Sequence, residues 1–275
     1  MARFTTSDGL SLYYEDRGQG LPILCLAGLT RNSRDFDFVA PHLAGHRMIT
    51  MDYRGRGLSD DAPDPLTYTI PQEAADALAL LDHLGLDKAA ILGTSRGGLI
   101  AMVIAATAKD RLIGVALNDI GPEILPEGLA GIEAYIGRQP AAPTMAALTA
   151  GTAAFFAADF PDVPMTRWAD HVANTHWDTA HGPRIAYDPA LRTAYLAAAG
   201  LPAPDLWPLF DAIAPLPCAV LHGVNSNILS AQTVATMKTK APNLLVASVP
   251  NRGHVPFLDE PSALAALSQW IGQMQ

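Results

Sequence analysis

The chain has 275 residues, 49% hydrophobic and 16% charged, with 18 Lys+Arg against 27 Asp+Glu for a net charge of −9. Charge this sparse argues against a coiled coil or a disordered regulator, and two Cys exclude a disulfide scaffold or a multi-Cys zinc domain. The acidic balance, without a Lys/Arg-rich run, lacks the basic footprint of a nucleic-acid binder, while a chain near ~300 residues can bury ~75% of its unfolded surface in one large core.

The elements follow in chain order. Phe4–Thr6 and Leu10–Tyr14 flank the turn signal Ser7-Asp8-Gly9 and read as β. No apolar h-region precedes them, so no signal peptide is expected. Leu21–Ala27 and His46–Met51 are short apolar runs, as expected of strands buried on both faces. Ile70–Leu84 places Ala74, Ala77, Leu78, Leu81 and Leu84 on one helical face, and Gly85 stops it. A strand at Ala89–Leu92, a helix at Arg96–Ala108 and a strand at Leu112–Leu117 follow. The longest apolar stretch, Leu99–Ala108, is about half of the ~20 residues a membrane span needs. Alternating strands and helices imply a parallel sheet covered on both faces.

The texture changes at Gly121. From there to about Asp205, Ala-rich segments are broken by Pro140, Pro143, Pro161, Pro164, Pro183 and Pro202, with no convincing strand. Met145–Ala158, Met165–Trp177 and Pro189–Ala199 read as helices. The alternation resumes with a strand at Pro217–Leu221, a helix at Ser230–Lys240, a strand at Leu244–Val249 and a helix at Pro261–Met274. The organisation expected is one α/β core, residues 1–120 and 206–275, interrupted by a helical cap, residues 121–205. Cys25 and Cys218, both in apolar runs, read as buried reduced thiols, and a cytoplasmic protein is expected.

Chemistry concentrates in Gly93-Thr94-Ser95-Arg96-Gly97, which follows a strand and opens a helix. That context is the one in which G-x-S-x-G forms a nucleophile elbow: glycines where backbones crowd, a serine held exposed, and a helix N-terminus favouring negative charge beneath it. The serine needs a base. Of eight His, His254 follows the last strand, at the same carboxyl edge of the sheet as Ser95, and the order Ser then His fits the same template.

Leu26-Ala27-Gly28-Leu29, Asp52-Tyr53-Arg54-Gly55-Arg56-Gly57-Leu58-Ser59, the elbow at Ser95 and Gly253-His254 together give the chain a resemblance to the α/β-hydrolase family, near its bacterial esterases and enol-lactonase-like members. The resemblance implies a mostly parallel eight-stranded sheet flanked by helices. It implies an oxyanion hole from the backbone N–H groups of Leu29 and Arg96, and it casts Asp52–Ser59 as a structural turn without catalytic duty. A triad also needs an acid to hold the imidazole. The resemblance places it in Gly223-Val224-Asn225-Ser226-Asn227, where Asn227 stands in for the expected Asp. Three readings follow: Asn227 is an engineered or naturally weakened position, Asp119 in Asn118-Asp119-Ile120-Gly121 serves instead, or Asn suffices, as in Cys-His-Asn sites.

The reaction implied is hydrolysis of a small carboxylic ester or lactone. C–C bond hydrolysis, cofactor-free perhydrolysis and a non-catalytic ligand receptor on the same scaffold are the alternatives. Cap aromatics (Tyr135, Phe155, Phe156, Trp168, Trp177, Tyr187, Tyr195) are candidates for an apolar pocket or for cap packing. Arg31 and Arg34 are candidates for an anionic substrate group or for cap docking. No metal motif, nucleotide glycine motif or second macromolecule is indicated, so a small molecule is the expected partner and no cofactor is expected.

Overall fold

Residues 2–275 are described by a computed structural model of the chain. Its elements in order are β1 (Ala2–Thr5), β2 (Ser11–Arg17), β3 (Pro22–Leu26), β4 (Arg47–Met51), α1 (Ile70–His83), β5 (Ala89–Thr94), α2 (Arg96–Ala108) and β6 (Leu112–Asn118). Then come α3 (Pro126–Tyr135), α4 (Met145–Phe155), α5 (Met165–Thr175), β7 (His176–Thr179), β8 (Gly182–Ile185) and α6 (Leu191–Ala199). The chain closes with α7 (Trp207–Ile213), β9 (Cys218–Gly223), α8 (Ala231–Lys240), β10 (Leu245–Val249) and α9 (Pro261–Gly272).

Eight strands form one sheet in the order β1-β2-β4-β3-β5-β6-β9-β10, antiparallel at the β1 and β2 edge and parallel from β4 onward. The mostly parallel eight-stranded sheet expected of the sequence is therefore the one observed. Every residue of β5 and β9 is buried, which is why these strands read as unbroken apolar runs rather than alternating ones. The helix α2 is buried over most of its surface and lies against β5, α1 and α7. The N-terminus of α1 is closed by Thr69, whose hydroxyl accepts from the Gln72 N–H at 3.3 Å. No helix among the described residues is long and apolar enough to cross a membrane. Cys25 in β3 and Cys218 in β9 are free thiols, both buried.

The strand-to-helix turn between β5 and α2 is tight enough to require glycine. A Cβ on Gly93 would lie 2.6 Å from the Gly97 carbonyl, and one on Gly97 would fall inside the Leu26 carbonyl oxygen at the end of β3. The N-terminus of α2 thereby sits directly against the end of β3.

Between β6 and β9 the structure departs from expectation. The stretch read as strandless holds a hairpin, β7 with β8, in the register His176↔Ile185 to Thr179↔Gly182. Its strands are four residues each and mostly polar, so they leave no apolar alternation to read. The helix expected to reach Trp177 stops at Thr175, whose hydroxyl donates back to the His171 carbonyl at 2.8 Å before His176 turns extended. The short helices α3 and α7 were also not anticipated. This segment is fastened at many points: Asn32 Nδ2 donates to the Asn174 carbonyl (2.8 Å), Asn174 Nδ2 to the Arg34 carbonyl (3.0 Å), and the Gly57 N–H to the Ala186 carbonyl (2.8 Å). Arg167 pairs with Asp259 and Arg252 with Asp162, each at 2.5 Å. Phe160, Trp168 and Phe257 form a second apolar cluster joined by Phe38 and Phe156.

Alanine at Gly97 is expected to lower stability by about 3 kcal/mol, the upper range for overpacking, although alanine ordinarily gains ~1 kcal/mol over glycine inside a helix. Gly131→Ala in α3, where an added carbon meets nothing within 4 Å, is expected to raise stability by up to about 1 kcal/mol. Urea unfolding of the two variants, read for opposite signs, checks this.

Candidate active site

Ser95 links β5 to α2 with φ 50 and ψ −113, in the left-handed half of conformational space that costs a non-glycine residue about 1–3 kcal/mol. Its N–H donates to the Asn118 carbonyl at 3.0 Å, and the Gly98 N–H donates to its carbonyl at 2.9 Å. The strained turn is thus held from both sides, which leaves the side chain projecting at the carboxyl edge of the sheet. There Ser95 Oγ lies 2.8 Å from Nε2 of His254, carried by the loop after β10.

The other ring nitrogen, Nδ1, is 2.8 Å from Oδ2 of Asp119. Asp119 follows β6, also at positive φ (55), and is wholly buried. Its N–H bonds the Leu221 carbonyl at 2.8 Å, which tethers it to β9. Its Oδ1 accepts from the Gly223 N–H (2.8 Å) and its Oδ2 from the Ser226 hydroxyl (2.6 Å). An ionised carboxylate only accepts, so Nδ1 carries the imidazole proton and Nε2 is left bare to accept from the serine hydroxyl.

The structure brings Ser95, His254 and Asp119 together and leaves Asn227 out. Asn227 is exposed and is not the partner of His254, which corrects the expectation that it occupies the acid position. The reason lies in the turn after β9. The Ser226 N–H bonds the Gly223 carbonyl at 2.9 Å, and its hydroxyl accepts from the Ile228 and Leu229 N–H groups at 3.2 and 3.1 Å. That network points Ser226 inward, and the next residue faces solvent. The site consequently has a carboxylate, supplied by β6 instead of the loop after β9.

Of the two N–H groups expected to hold an oxyanion, Arg96 opens α2 and Leu29 lies in the loop after β3. Among the described residues neither donates to a protein acceptor. A Cβ on Gly28 would lie 3.9 Å from the Ser95 Cβ, so that loop runs directly against Ser95. The peptide carrying the Leu29 N–H is oriented by its own carbonyl, Gly28 O, which accepts from the Arg31 N–H at 3.1 Å.

Arg31 Nη1 reaches Asp35 Oδ1 (2.9 Å) and His171 Nδ1 (3.2 Å), while Arg34 Nη1 donates to the Ala173 carbonyl (2.9 Å). Burial, then the charges of Arg31 and His176, hold the His171 imidazole well below its ordinary value, so its neutral ring accepts from Arg31. Trp168 and Phe156 stack within the second apolar cluster. Phe155 projects into solvent at 78% exposure, so these aromatics divide between packing and surface. Tyr187 accepts from the Gly137 N–H and Tyr195 donates to the Leu129 carbonyl, both fastening contacts within the interposed segment.

Sequence reasoning passed over Ser226, and it passed over the contacts that Asp52–Ser59 makes with the oxyanion loop. Asp52 accepts from the Ser33 and Leu58 N–H groups at 2.7 Å each, and the Tyr53 hydroxyl donates to the Ala27 carbonyl at 3.0 Å. The motif itself was the available signal.

A family model described as alpha/beta hydrolase fold matches residues 22–261. A 3-hydroxybutyrate-oligomer hydrolase of Cupriavidus necator is 32% identical over 90% of this chain and 87% of its own length. An N-formylmaleamate deformylase of Pseudomonas putida is 27% identical over 94% of this chain and 91% of its own. The crystal structure of an alpha/beta hydrolase from Novosphingobium aromaticivorans superposes with a TM-score of 0.93 at 38% identity, over 99% of this chain and 97% of the other.

Asp119→Asn is expected to lower kcat toward activated esters by up to ~10⁴, the loss seen when a triad carboxylate becomes an amide and the imidazole tautomer is no longer fixed. Asn227→Asp, a surface change worth about 0.5 kcal/mol or less, is expected to leave kcat/KM nearly unchanged. Steady-state kinetics of both variants beside the parent separate the two positions.

Proposed function

The chain belongs to the alpha/beta hydrolase fold family, and on that premise we propose that it is a serine hydrolase cleaving a small carboxylic ester or lactone through an acyl-enzyme. The observation that carries the reading is the unbroken chain Ser95 Oγ–His254 Nε2 and His254 Nδ1–Asp119 Oδ2, each link 2.8 Å. Ser95 attacks the substrate carbonyl as His254 takes its proton, and the Asp119 carboxylate stabilises the imidazolium that forms. The Leu29 and Arg96 N–H groups receive the oxyanion, each worth about 3 kcal/mol of barrier. His254 then returns the proton to the departing alkoxide oxygen. It next activates a water that releases the acid and restores the serine.

The ester assignment draws support from the oligomer hydrolase relative, because oligomers of a hydroxy acid are joined by ester bonds. Residues 121–205 act in this reading as a cap over a core of residues 1–120 and 206–275. The fastening contacts with the loops that carry Leu29 and His254 support that role.

A fluorophosphonate probe is expected to label the parent stoichiometrically at Ser95, and Ser95→Ala to abolish both labelling and turnover of p-nitrophenyl butyrate and of a linear 3-hydroxybutyrate dimer. A folded parent that neither labels nor turns over any ester or lactone would sink the proposal.

A further inference from the structure

The oxyanion hole needs two backbone N–H groups from segments far apart in sequence, the loop after β3 and the start of α2. Both segments are anchored by the side chains of one buried ion cluster. Glu73, in the first turn of α1, is wholly buried. Its Oε2 accepts from Arg96 Nε at 2.5 Å, and its Oε1 lies 2.8 Å from Arg56 Nη1. Arg96 is itself one of the two N–H bearers, and its Nη2 donates to the Tyr68 carbonyl at 3.0 Å. Arg56 Nε donates to the carbonyl of Leu29, the other bearer, at 3.2 Å.

We propose that Glu73 is a positioning residue for catalysis, setting the spacing of the two oxyanion donors by holding Arg96 directly and Leu29 through Arg56. The proposal rests on the hydrolase reading of the site. The geometry of the loop supports it carbonyl by carbonyl. Ala27 O is held by the Tyr53 hydroxyl, Gly28 O by the Arg31 N–H, and Leu29 O by Arg56. Three successive peptide planes are therefore fixed, and the middle one carries the Leu29 N–H. Arg56 has little freedom to let go. It is 1% exposed, its Nη1 donates to the Arg54 carbonyl at 2.6 Å, and its guanidinium lies 5.2 Å from the Tyr68 ring centre. Two cations meet one carboxylate here, so removing the carboxylate leaves the buried guanidinium of Arg56 and the partly buried one of Arg96 repelling each other. Burial alone would raise the Glu73 carboxyl, and the two guanidiniums overcome it and hold the group below its ordinary range, ionised for this task.

A merely structural cluster would change stability and leave transition-state binding alone. The test compares Glu73→Gln with Arg56→Lys, which keeps a cation opposite Glu73 and gives up the Nε contact with Leu29. Folding is verified by circular dichroism. Each variant that folds is expected to lose about tenfold or more in kcat, a part of the ~10²–10³ lost when an oxyanion donor is removed outright. KM is expected to stay within about twofold, since the donors act in the transition state. Affinity for an alkyl boronic acid, which forms a tetrahedral adduct on Ser95, is expected to fall by the same factor as kcat. Should Glu73→Gln fail to fold, Arg56→Lys alone decides. Folded variants with parental boronate affinity and kcat would overturn the brace while leaving the hydrolase reading intact. A parent that neither labels nor turns over would overturn that reading, and the brace with it.

Discussion

A carboxylate with no access to water has to be met by donors on every side, and Asp119 is such a group. The cost of burying an unpaired ion runs to several kcal/mol, so the segments around it are obliged to present N–H and O–H groups. They come from the end of β9 (Gly223), the turn beyond it (Ser226) and the loop after β10 (His254). One buried charge at the end of β6 therefore draws together the carboxyl ends of its neighbours in the sheet. It also fixes which imidazole nitrogen carries the proton, and hence which one faces Ser95.

On the opposite flank of Ser95 the constraint is steric. Glycine at 93 and 97 lets α2 press against the end of β3, which brings the Leu29 loop close to Ser95. The motif Asp52–Ser59 then stiffens that loop from behind, with Asp52 gripping Ser33 and Tyr53 gripping Ala27. A sequence that looks like a structural turn thus belongs to the same mechanical unit as the site. Its side chains hold the carbonyls of Ala27 and Leu29 on either side of the Leu29 N–H.

Much of this was legible in the amino-acid sequence, for physical reasons that differ from part to part. Strands buried on both faces must be apolar throughout, so β3, β5, β6 and β9 announced themselves. The elbow was readable because only glycine tolerates the backbone crowding on either side of Ser95. His254 was readable from its place after the last strand. The acid was not. Sequence spacing identifies the turn after β9, and only its hydrogen bonds decide that Ser226 faces in and Asn227 faces out. The orientation of Asp119 depends on the N–H to Leu221 bond between β6 and β9, a relation between positions a hundred residues apart. The β7–β8 hairpin was hidden because short polar strands carry no periodic signal. The pairing of Glu73 with Arg56 and Arg96 was hidden because contacts across elements leave no local trace.

The two thiols draw a last consequence from the burial of the sheet. Cys25 lies in β3, the strand that feeds the Leu29 loop, and Cys218 in β9, the strand that feeds the Asp119 shell; burial pushes both thiols up. Neither can form a thiolate or meet a reagent while the strands are packed. The two thiols of the folded molecule are therefore silent to thiol-specific reagents, and their reactivity is a clock that runs only when the sheet opens. Because the two sulfurs sit on either side of β5 and β6, the order in which they become reactive reports which flank of the site comes apart first.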